Sequence, residues 1–474
     1  MNNLEVIDIT SLSGTEYAYL PYTGFILNKQ LLQSDSRRSI EYQKLEEKYK
    51  REFDKSLTPA TPEEIEFYIK RFGFQELILE VTTGCNLRCE YCIFSGNYNV
   101  QRRHGKSNAE FKDLKKAIDY YYSQLKMNRL FNVNRRPTVA FYGGEPLLNY
   151  KAIKQCIDYI KEKYSEFDTF FTITTNGTLL NEDIMKYFIK NEVWLVFSLD
   201  GDKTTHDRNR KRKDGKGSFD EVFANIKKYQ EMKKGIVFIN SVYDYKTNLQ
   251  DVIEFLFHHK NLANLSASMV NPYGTNYFDS FSEEDVRKFV RNYSLLQNMF
   301  FKQLKDGGYR KNPETSTLNL IVGKPAMSIL LRKQIGMKTN PFFPFTGACI
   351  PGEKIFVDIN GTINPCEKIG KGMTIGSSDE GLNYINIANY VNKFQIILKD
   401  CFDCKYRGLC SLCYQAFWDG NRFLKDQKNC NASISNIRDA LSLFVSMSEL
   451  QPHWIDAYSS DFFETIQNLE LSLL

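Results

Sequence analysis

From residue 76 to about 270 the chain alternates between two kinds of apolar pattern. Short β-rich runs occupy Glu76–Thr82, Thr138–Tyr142, Phe170–Thr175, Val193–Leu199, Gly235–Ser241 and Leu265–Val270. Helical periodicity fills the intervals near 107–127, 150–163, 181–190, 218–232 and 248–258. Such alternation predicts a parallel sheet covered by helices. Six strand–helix repeats can curl into an open barrel or stay doubly wound. In both cases ligand chemistry gathers at the C-terminal ends of the strands.

The flanks read differently. With 474 residues the chain is long enough for about three domains. In residues 1–75, Leu4–Ile9 reads as a strand and Tyr17–Leu27 as a hairpin turning at Pro21–Gly24. Residues 36–55 read as a helix with Tyr42, Leu45, Tyr49 and Phe53 on one face. A second helix begins after Thr61, with Pro62 at its first position and Glu64 at capping-box spacing. This unit is compatible with a small winged-helix-like, peptide-binding module, or with an extension that only packs on the next domain. Residues 280–335 are mostly helical, and residues 76–335 are taken as one unit. From 345 to 448 Gly, Pro and Cys become frequent. There Phe356–Cys366 reads as two short strands around Asn360-Gly361, and 431–448 as a closing helix. Residues 449–474 form a tail.

Composition excludes several classes. A net charge of +5 is small for this length and argues against nucleic acid or a membrane surface as partner. The N-terminus has neither a basic n-region nor an apolar h-region, and no apolar run reaches the ~18 residues of a membrane span. Eleven cysteines in such a chain read as metal ligands in a reducing cytoplasm rather than as disulfides.

Three of these cysteines directly follow the first strand, in Val81-Thr-Thr-Gly-Cys-Asn-Leu-Arg-Cys-Glu-Tyr-Cys92. Three thiolates on one tight loop can hold three irons of a [4Fe–4S] cluster and leave the fourth open to a small molecule. A zinc knuckle is the rival reading, but structural zinc wants four protein ligands, usually from C-x2-C pairs. Further motifs stand at the following strand ends: Tyr142-Gly-Gly-Glu-Pro146, Thr174-Thr-Asn-Gly-Thr178 and Ser198-Leu-Asp-Gly201. His206, Asp207 and Arg210 come next.

The spacing Cys85, Cys89, Cys92, taken with these motifs in order, resembles the signature of the radical S-adenosylmethionine (SAM) enzymes. The resemblance implies a partial (β/α)6 barrel and an open iron that binds SAM. Gly143, Gly144 and Glu145 would hold the SAM amino group, with Asn176 near the ribose. Ser198 and Arg210 would take the carboxylate, and Tyr91 belongs to a loop that contacts adenine. Electron transfer into SAM would yield methionine and a 5′-deoxyadenosyl radical, which takes a hydrogen atom from substrate. The basic stretches Arg208–Lys213 and Arg102–Lys106 read as solvated loops, the second also able to touch an acidic peptide.

A second set comprises Cys349, Cys366, Cys401, Cys404, Cys410, Cys413 and Cys430. Its pattern, C-x11-G-x4-C, then C-x2-C-x5-C-x2-C, then C, resembles the seven-cysteine SPASM extension with two auxiliary [4Fe–4S] clusters. The family usually has three residues where Ser411-Leu412 stand between Cys410 and Cys413, which bears on how Cys413 is directed. Zinc ribbons use similar pairs. By the family pattern Cys349, Cys366 and Cys413 hold one auxiliary cluster, and Cys401, Cys404, Cys410 and Cys430 the other. Cys156 lies on the apolar side of a helix and reads as core. Seven thiols for two auxiliary cubanes leave one iron without a cysteine, where a substrate thiolate, water or another residue could bind. Glu367 follows Cys366, where sulfatase-maturing relatives carry an aspartate base. It is a candidate catalytic residue or a plain surface acid.

The expectation is therefore a cytoplasmic radical SAM/SPASM peptide maturase with three [4Fe–4S] clusters and SAM. Its partners would be a precursor peptide with a leader and a low-potential donor such as flavodoxin or ferredoxin. The favoured product is a thioether between a Cys sulfur and an acceptor-residue carbon, of ranthipeptide or sactipeptide type. Formylglycine formation on a sulfatase and carbon–carbon crosslinking are the alternatives.

Overall fold

The computed structural model describes residues 5–34, 36–53, 58–131, 136–259, 261–306, 318–331, 341–345, 347–370 and 372–455. Most of the expected 449–474 tail, and the ends of several expected helices, lie outside the described residues.

The chain begins with an antiparallel sheet of β1 (Ile7–Thr10), β2 (Glu16–Tyr19) and β3 (Ile26–Asn28). The expected turn is present, closed by Leu20 N–H to Phe25 O at 2.8 Å and Gly24 N–H to Leu20 O at 2.8 Å. Helices α1 (Lys29–Ser34) and α2 (Ser36–Phe53) follow. Glu46 of α2 accepts the turn amides of Tyr22 and Thr23, at 3.1 and 2.7 Å, which pins α2 to the hairpin. Helix α3 (Pro62–Phe72) starts on the predicted capping box, with both the Thr61 and Glu64 bonds made.

The six expected strands are β4 (Glu76–Thr82), β5 (Thr138–Gly143), β6 (Phe170–Thr175), β7 (Trp194–Ser198), β8 (Val237–Tyr243) and β9 (Leu262–Met269). They pair in that order, all parallel. β4 is buried along nearly its whole length, which is why it reads as an apolar run rather than an alternation. The covering helices are α4 (Phe111–Met127), α5 (Tyr150–Lys163), α6 (Glu182–Lys190), α7 (Lys203–Asn209), α8 (Phe219–Lys233) and α9 (Leu249–His258). On α4 the buried face is Leu114, Ala117, Ile118, Tyr121, Tyr122 and Leu125, the helical spacing that seats one stripe on the sheet.

The sheet does not stop at β4. After α10 (Glu283–Lys305) and α11 (Lys324–Leu330), strand β10 (Lys354–Val357) joins β4 in parallel, Leu77 opposite Ile355. Short antiparallel strands β11 (Thr362–Asn364), β12 (Gly376–Ser377) and β13 (Gly381–Leu382) extend it to ten strands. The cysteine-rich segment is thus continuous with the barrel sheet. Two helices complete it, α12 (Tyr384–Ile397) and α13 (Gln427–Leu450). α12 is tied to the start of α3 by Asn392, which accepts from Ala60 N–H at 2.7 Å and donates to Ala60 O at 3.0 Å. α13 buries Ile437, Leu441 and Val445 against Ile7, Ile9 and Tyr19 of the N-terminal sheet. Among the described residues no helix is long and apolar enough to cross a membrane.

Candidate functional site

One cavity of about 500 Å³ lies at the C-terminal ends of β4 to β9. Each strand or the loop after it supplies a wall residue: Cys85, Gly143, Thr175, Ser198, Val242 and Met269. Six strand ends ringing one space is what a partial barrel produces and a flat sheet does not. Cys85, Cys89 and Cys92 stand together at its rim.

The cysteine loop is shaped by its own backbone. Cys92 N–H bonds Cys89 O at 3.1 Å and Ser95 N–H bonds Cys92 O at 2.9 Å. Leu87 N–H points to Cys85 Sγ and Phe94 N–H to Cys92 Sγ, both at 3.4 Å. Arg88 N–H to Lys211 O, at 2.7 Å, ties the loop to the segment after α7. Burial pushes the Cys85 thiol up to about 11 and the Cys89 thiol to about 12, and raises Cys92 as well. Thiols in such a place ionise against a metal's charge rather than in isolation. Among the described residues, no three His, Cys, Asp or Glu side chains close on one point as ligands of a single ion would. Three thiols on one loop at the end of β4 suit a cluster with one iron left open.

The paired glycines have a steric reason in the fold itself. A Cβ on Gly143, whose φ is +146°, would lie 2.1 Å from Thr82 O. A Cβ on Gly144 would lie 2.2 Å from Gly84 O and 3.0 Å from Cys85 Cβ. Bonds from Gly144 N–H to Thr82 O (3.2 Å) and Glu145 N–H to Gly84 O (2.8 Å) lock the two segments together. The close approach is therefore to the cysteine loop itself. Glu145 is buried and already accepts from Leu147 N–H at 3.1 Å, Thr175 Oγ1 at 2.7 Å and Asn176 N–H at 2.7 Å. A carboxylate has about four acceptor directions, so roughly one is left for an ammonium donor. Burial nonetheless raises the Glu145 carboxyl above its ordinary value, against the pull of those donors.

Asn176 and Ser198 both line the cavity. Asn176 Nδ2 also donates to Asn86 Oδ1 at 2.9 Å, so its amide braces the cysteine loop. Arg210 lines the cavity too, with its Nε donating to Asp200 Oδ2 at 2.9 Å. The Tyr91 hydroxyl donates to the same oxygen at 2.6 Å, and Val242 N–H donates to Asp200 Oδ1 at 3.0 Å. Asp200 thus joins the cysteine loop, β8 and Arg210. In the sequence Asp200 stands inside Ser198–Gly201, an acid at the same strand end as Ser198.

Two expectations about charge are corrected. Arg208 is not solvated: it makes two 2.8 Å bonds to the fully buried carboxylate of Asp244. Arg102 is likewise drawn in, donating to buried Glu80 at 2.6 Å and lying over the rings of Phe94 and Phe356. Buried carboxylates far away in sequence outcompete water for these two guanidinium groups.

His104 and Tyr142 also line the cavity, packed against Phe94 just after Cys92. Tyr273, Lys368 and Gln415 line it too, and nothing in the sequence patterns singles them out. Lys368 follows Cys366 by two positions and Gln415 follows Cys413 by two, so the second cysteine set borders the same cavity. Glu367 is not among the lining residues, and its Oε2 is buried with no hydrogen-bond partner among the described residues.

Proximity sorts that second set into two groups. Cys349 and Cys413 act electrostatically on one another, as do Cys366 and Cys349. Cys401 responds to Cys404, Cys410 and Cys430, and Cys410 to Cys404 and Cys430. Cys349 is solvent-exposed yet crowded enough that its thiol is pushed up to about 11. Cys430 sits in the first turn of α13. Cys156 is completely buried in the apolar core, and burial alone raises its thiol.

Residues 79–258 match the Radical SAM superfamily. A cysteine-type anaerobic sulfatase-maturating enzyme of Clostridium novyi is 35% identical over 162 residues, 32% of this chain and 39% of the relative. The radical SAM cyclopropyl synthase TigE of Paramaledivibacter caminithermalis is 26% identical over 219 residues, 44% of this chain and 43% of the relative. The matched stretch spans less than half the length of these curated relatives. Native anSMEcpe with bound AdoMet superposes with a TM-score of 0.55 at 19% identity, covering 81% of this chain and 98% of that one. Streptococcus suis SuiB bound to precursor peptide SuiA superposes at 0.50 and 17% identity, covering 82% and 80%. At such identities the superpositions establish the fold, a partial barrel carrying a cysteine-rich C-terminal segment. With its parallel barrel and its three-cysteine loop, the segment 79–258 carries a domain that matches the Radical SAM superfamily.

Proposed function

We propose that the chain is a peptide maturase that joins a Cys sulfur to an acceptor-residue carbon in a ribosomally made peptide. The observation that carries this reading is the shared cavity. It runs from Cys85, Cys89 and Cys92 to Lys368 and Gln415, beside Cys366 and Cys413. A peptide lying there would face both cysteine sets at once.

In this reading Cys85, Cys89 and Cys92 hold a [4Fe–4S] cluster, while Glu145, Asn176, Ser198 and Arg210 hold SAM. When bound, the reduced cluster and SAM supply a 5′-deoxyadenosyl radical that removes a hydrogen atom from the peptide. The residues of the chain position and shield. Asp200 fixes Arg210 and Tyr91. Tyr98, Tyr142, Tyr273 and Val270 line the space and exclude water from it. Cys349, Cys366 and Cys413 would hold one auxiliary cluster, and Cys401, Cys404, Cys410 and Cys430 a second. Residues 1–75 would bind a leader; in their sheet β3 has one edge unpaired among the described residues, a template for an added strand. Residues 76–335 would be the catalytic unit, 345–448 the auxiliary-cluster unit and 449–474 a tail. SuiB, whose structure holds a precursor peptide, supports a peptide partner. A flavodoxin or ferredoxin would supply electrons, and eleven free thiols suit a reducing cytoplasm.

A second reading, formylglycine formation on a sulfatase, is favoured by the Clostridium novyi relative. Glu367, where such relatives carry an aspartate, and the N-terminal unit weigh against it. Anaerobic incubation with dithionite, SAM and a cysteine-rich peptide separates the two. A thioether gives a product two hydrogen atoms lighter that resists thiol alkylation. An aldehyde that reacts with hydrazines would establish the second reading instead.

A further inference from the structure

Tyr414 directly follows Cys413 and opens a short 3-10 turn, Tyr414–Ala416. Its ring is clamped by Phe394, Phe343 and Phe423, with centroids 4.6, 5.9 and 5.8 Å away. The residue is 3% exposed, and its hydroxyl has no hydrogen-bond partner among the described residues. Leaving such a group unsatisfied costs about 1–3 kcal/mol, so a buried hydroxyl of this kind normally has an acceptor.

The groups around it are unusual. The ionisable neighbours that act on the Tyr414 hydroxyl are Cys349, Glu353, Cys413 and Cys366. The backbone brings them together: a Cβ on Gly347 would lie 2.3 Å from Leu412 O, so the segment leading to Cys349 is pressed against the segment leading to Cys413. Glu353 accepts from the Tyr68 hydroxyl at 2.7 Å and makes no bond with the Tyr414 hydroxyl. The remaining three neighbours are the cysteines assigned above to one auxiliary cluster. A phenol keeps its proton at neutral pH and is a donor. The acceptor it lacks is therefore an atom of whatever the three thiolates hold.

We propose that Tyr414 donates a hydrogen bond to a sulfur of the auxiliary cluster held by Cys349, Cys366 and Cys413, and so raises its reduction potential. This inference rests on the auxiliary-cluster assignment made under the proposed function. Donation to sulfur favours the more negative, reduced cluster, and hydrogen bonds to sulfur are among the factors that set such potentials. Tyr414 is in this sense a tuning residue; it need not touch substrate.

The test uses the full chain with Cys85→Ala, Cys89→Ala and Cys92→Ala, so that only auxiliary clusters contribute. Iron and sulfide are counted, and EPR-monitored redox titration is run with and without Tyr414→Phe, which keeps the ring and removes only the oxygen. The expected result is unchanged iron and sulfide, a negative shift in the potential of one auxiliary signal, and an unshifted second signal. ENDOR of the reduced protein reconstituted in H2O and in D2O adds a readout independent of the variant's folding. It should show an exchangeable proton coupled to that cluster. Unchanged potentials and no such proton would overturn the inference while leaving the clusters intact. Loss of a whole cubane in Tyr414→Phe would also overturn it, by making Tyr414 a ligand. No iron in the triple-alanine background would overturn the auxiliary-cluster assignment itself.

Discussion

The Tyr91 hydroxyl donates to Asp200 Oδ2 at 2.6 Å, inside the cavity wall, and that oxygen also takes Arg210 Nε at 2.9 Å. One carboxylate thus sets the pose of a cysteine-loop side chain and of a cation proposed to bind SAM. Both partners are deeply buried, Arg210 at 9% and Asp200 at 2% side-chain exposure. Asp200→Ala leaves the guanidinium without its counter-charge, so the expected destabilisation is about 3–5 kcal/mol. Tyr91→Phe removes one hydrogen bond and should cost nearer 1–2 kcal/mol. Chemical denaturation of the two variants checks the order, and SAM affinity should fall more in Asp200→Ala.

Gly144→Ala tests the lock between β5 and the cysteine loop. Its Cβ would meet Gly84 O at 2.2 Å, and backbone cannot move aside as a side-chain tip can. The loop should shift and release its cluster. Iron analysis is expected to fall by about a third, from about 12 to about 8 per chain if three cubanes are present. The auxiliary EPR signals should survive.

Cys156→Ala should leave the iron count unchanged. Cys156 is fully buried among apolar residues of α5, and its thiol is held protonated by burial alone. The cost should be only that of a small cavity, about 1 kcal/mol, read from the unfolding midpoint.

His206 gives a pH signature. The ring is buried, its Nε2 lies 3.0 Å from Ser218 Oγ, and burial lowers it from 6.5 to about 4. Between those values the unfolded chain binds a proton that the folded chain does not, so stability falls as pH drops through this window. The contribution is up to about 1.4 kcal/mol per pH unit. His206→Gln should flatten the stability–pH curve between pH 6.5 and about 4 relative to the parent chain. The comparison removes the opposing effect of buried Glu145, whose carboxyl is raised.

Local pattern reads well wherever one element explains itself. Thr61 and Glu64 announce α3, and the apolar run 76–82 announces β4 and places the cysteine loop at its end. What local pattern does not record is which distant segment arrives alongside. Nothing in Lys354–Val357 says that it pairs with β4, and that pairing brings Lys368 to the cavity. The same gap hides the partners of charged residues. Arg208 and Arg102 look solvated until Asp244 and Glu80 are folded against them. Gly143 and Gly144 are legible as a motif, but their steric reason lies in Thr82 and Gly84 across the sheet.

Cys85, Cys89 and Cys92 are proposed to carry the cluster that cleaves SAM, and 5′-deoxyadenosine formed anaerobically from SAM and dithionite reads this directly. It is measured in the parent chain and in the Cys85→Ala, Cys89→Ala, Cys92→Ala variant. Product is expected from the parent and none from the variant, with auxiliary iron retained. Equal 5′-deoxyadenosine from both proteins would rule out that role for the three cysteines.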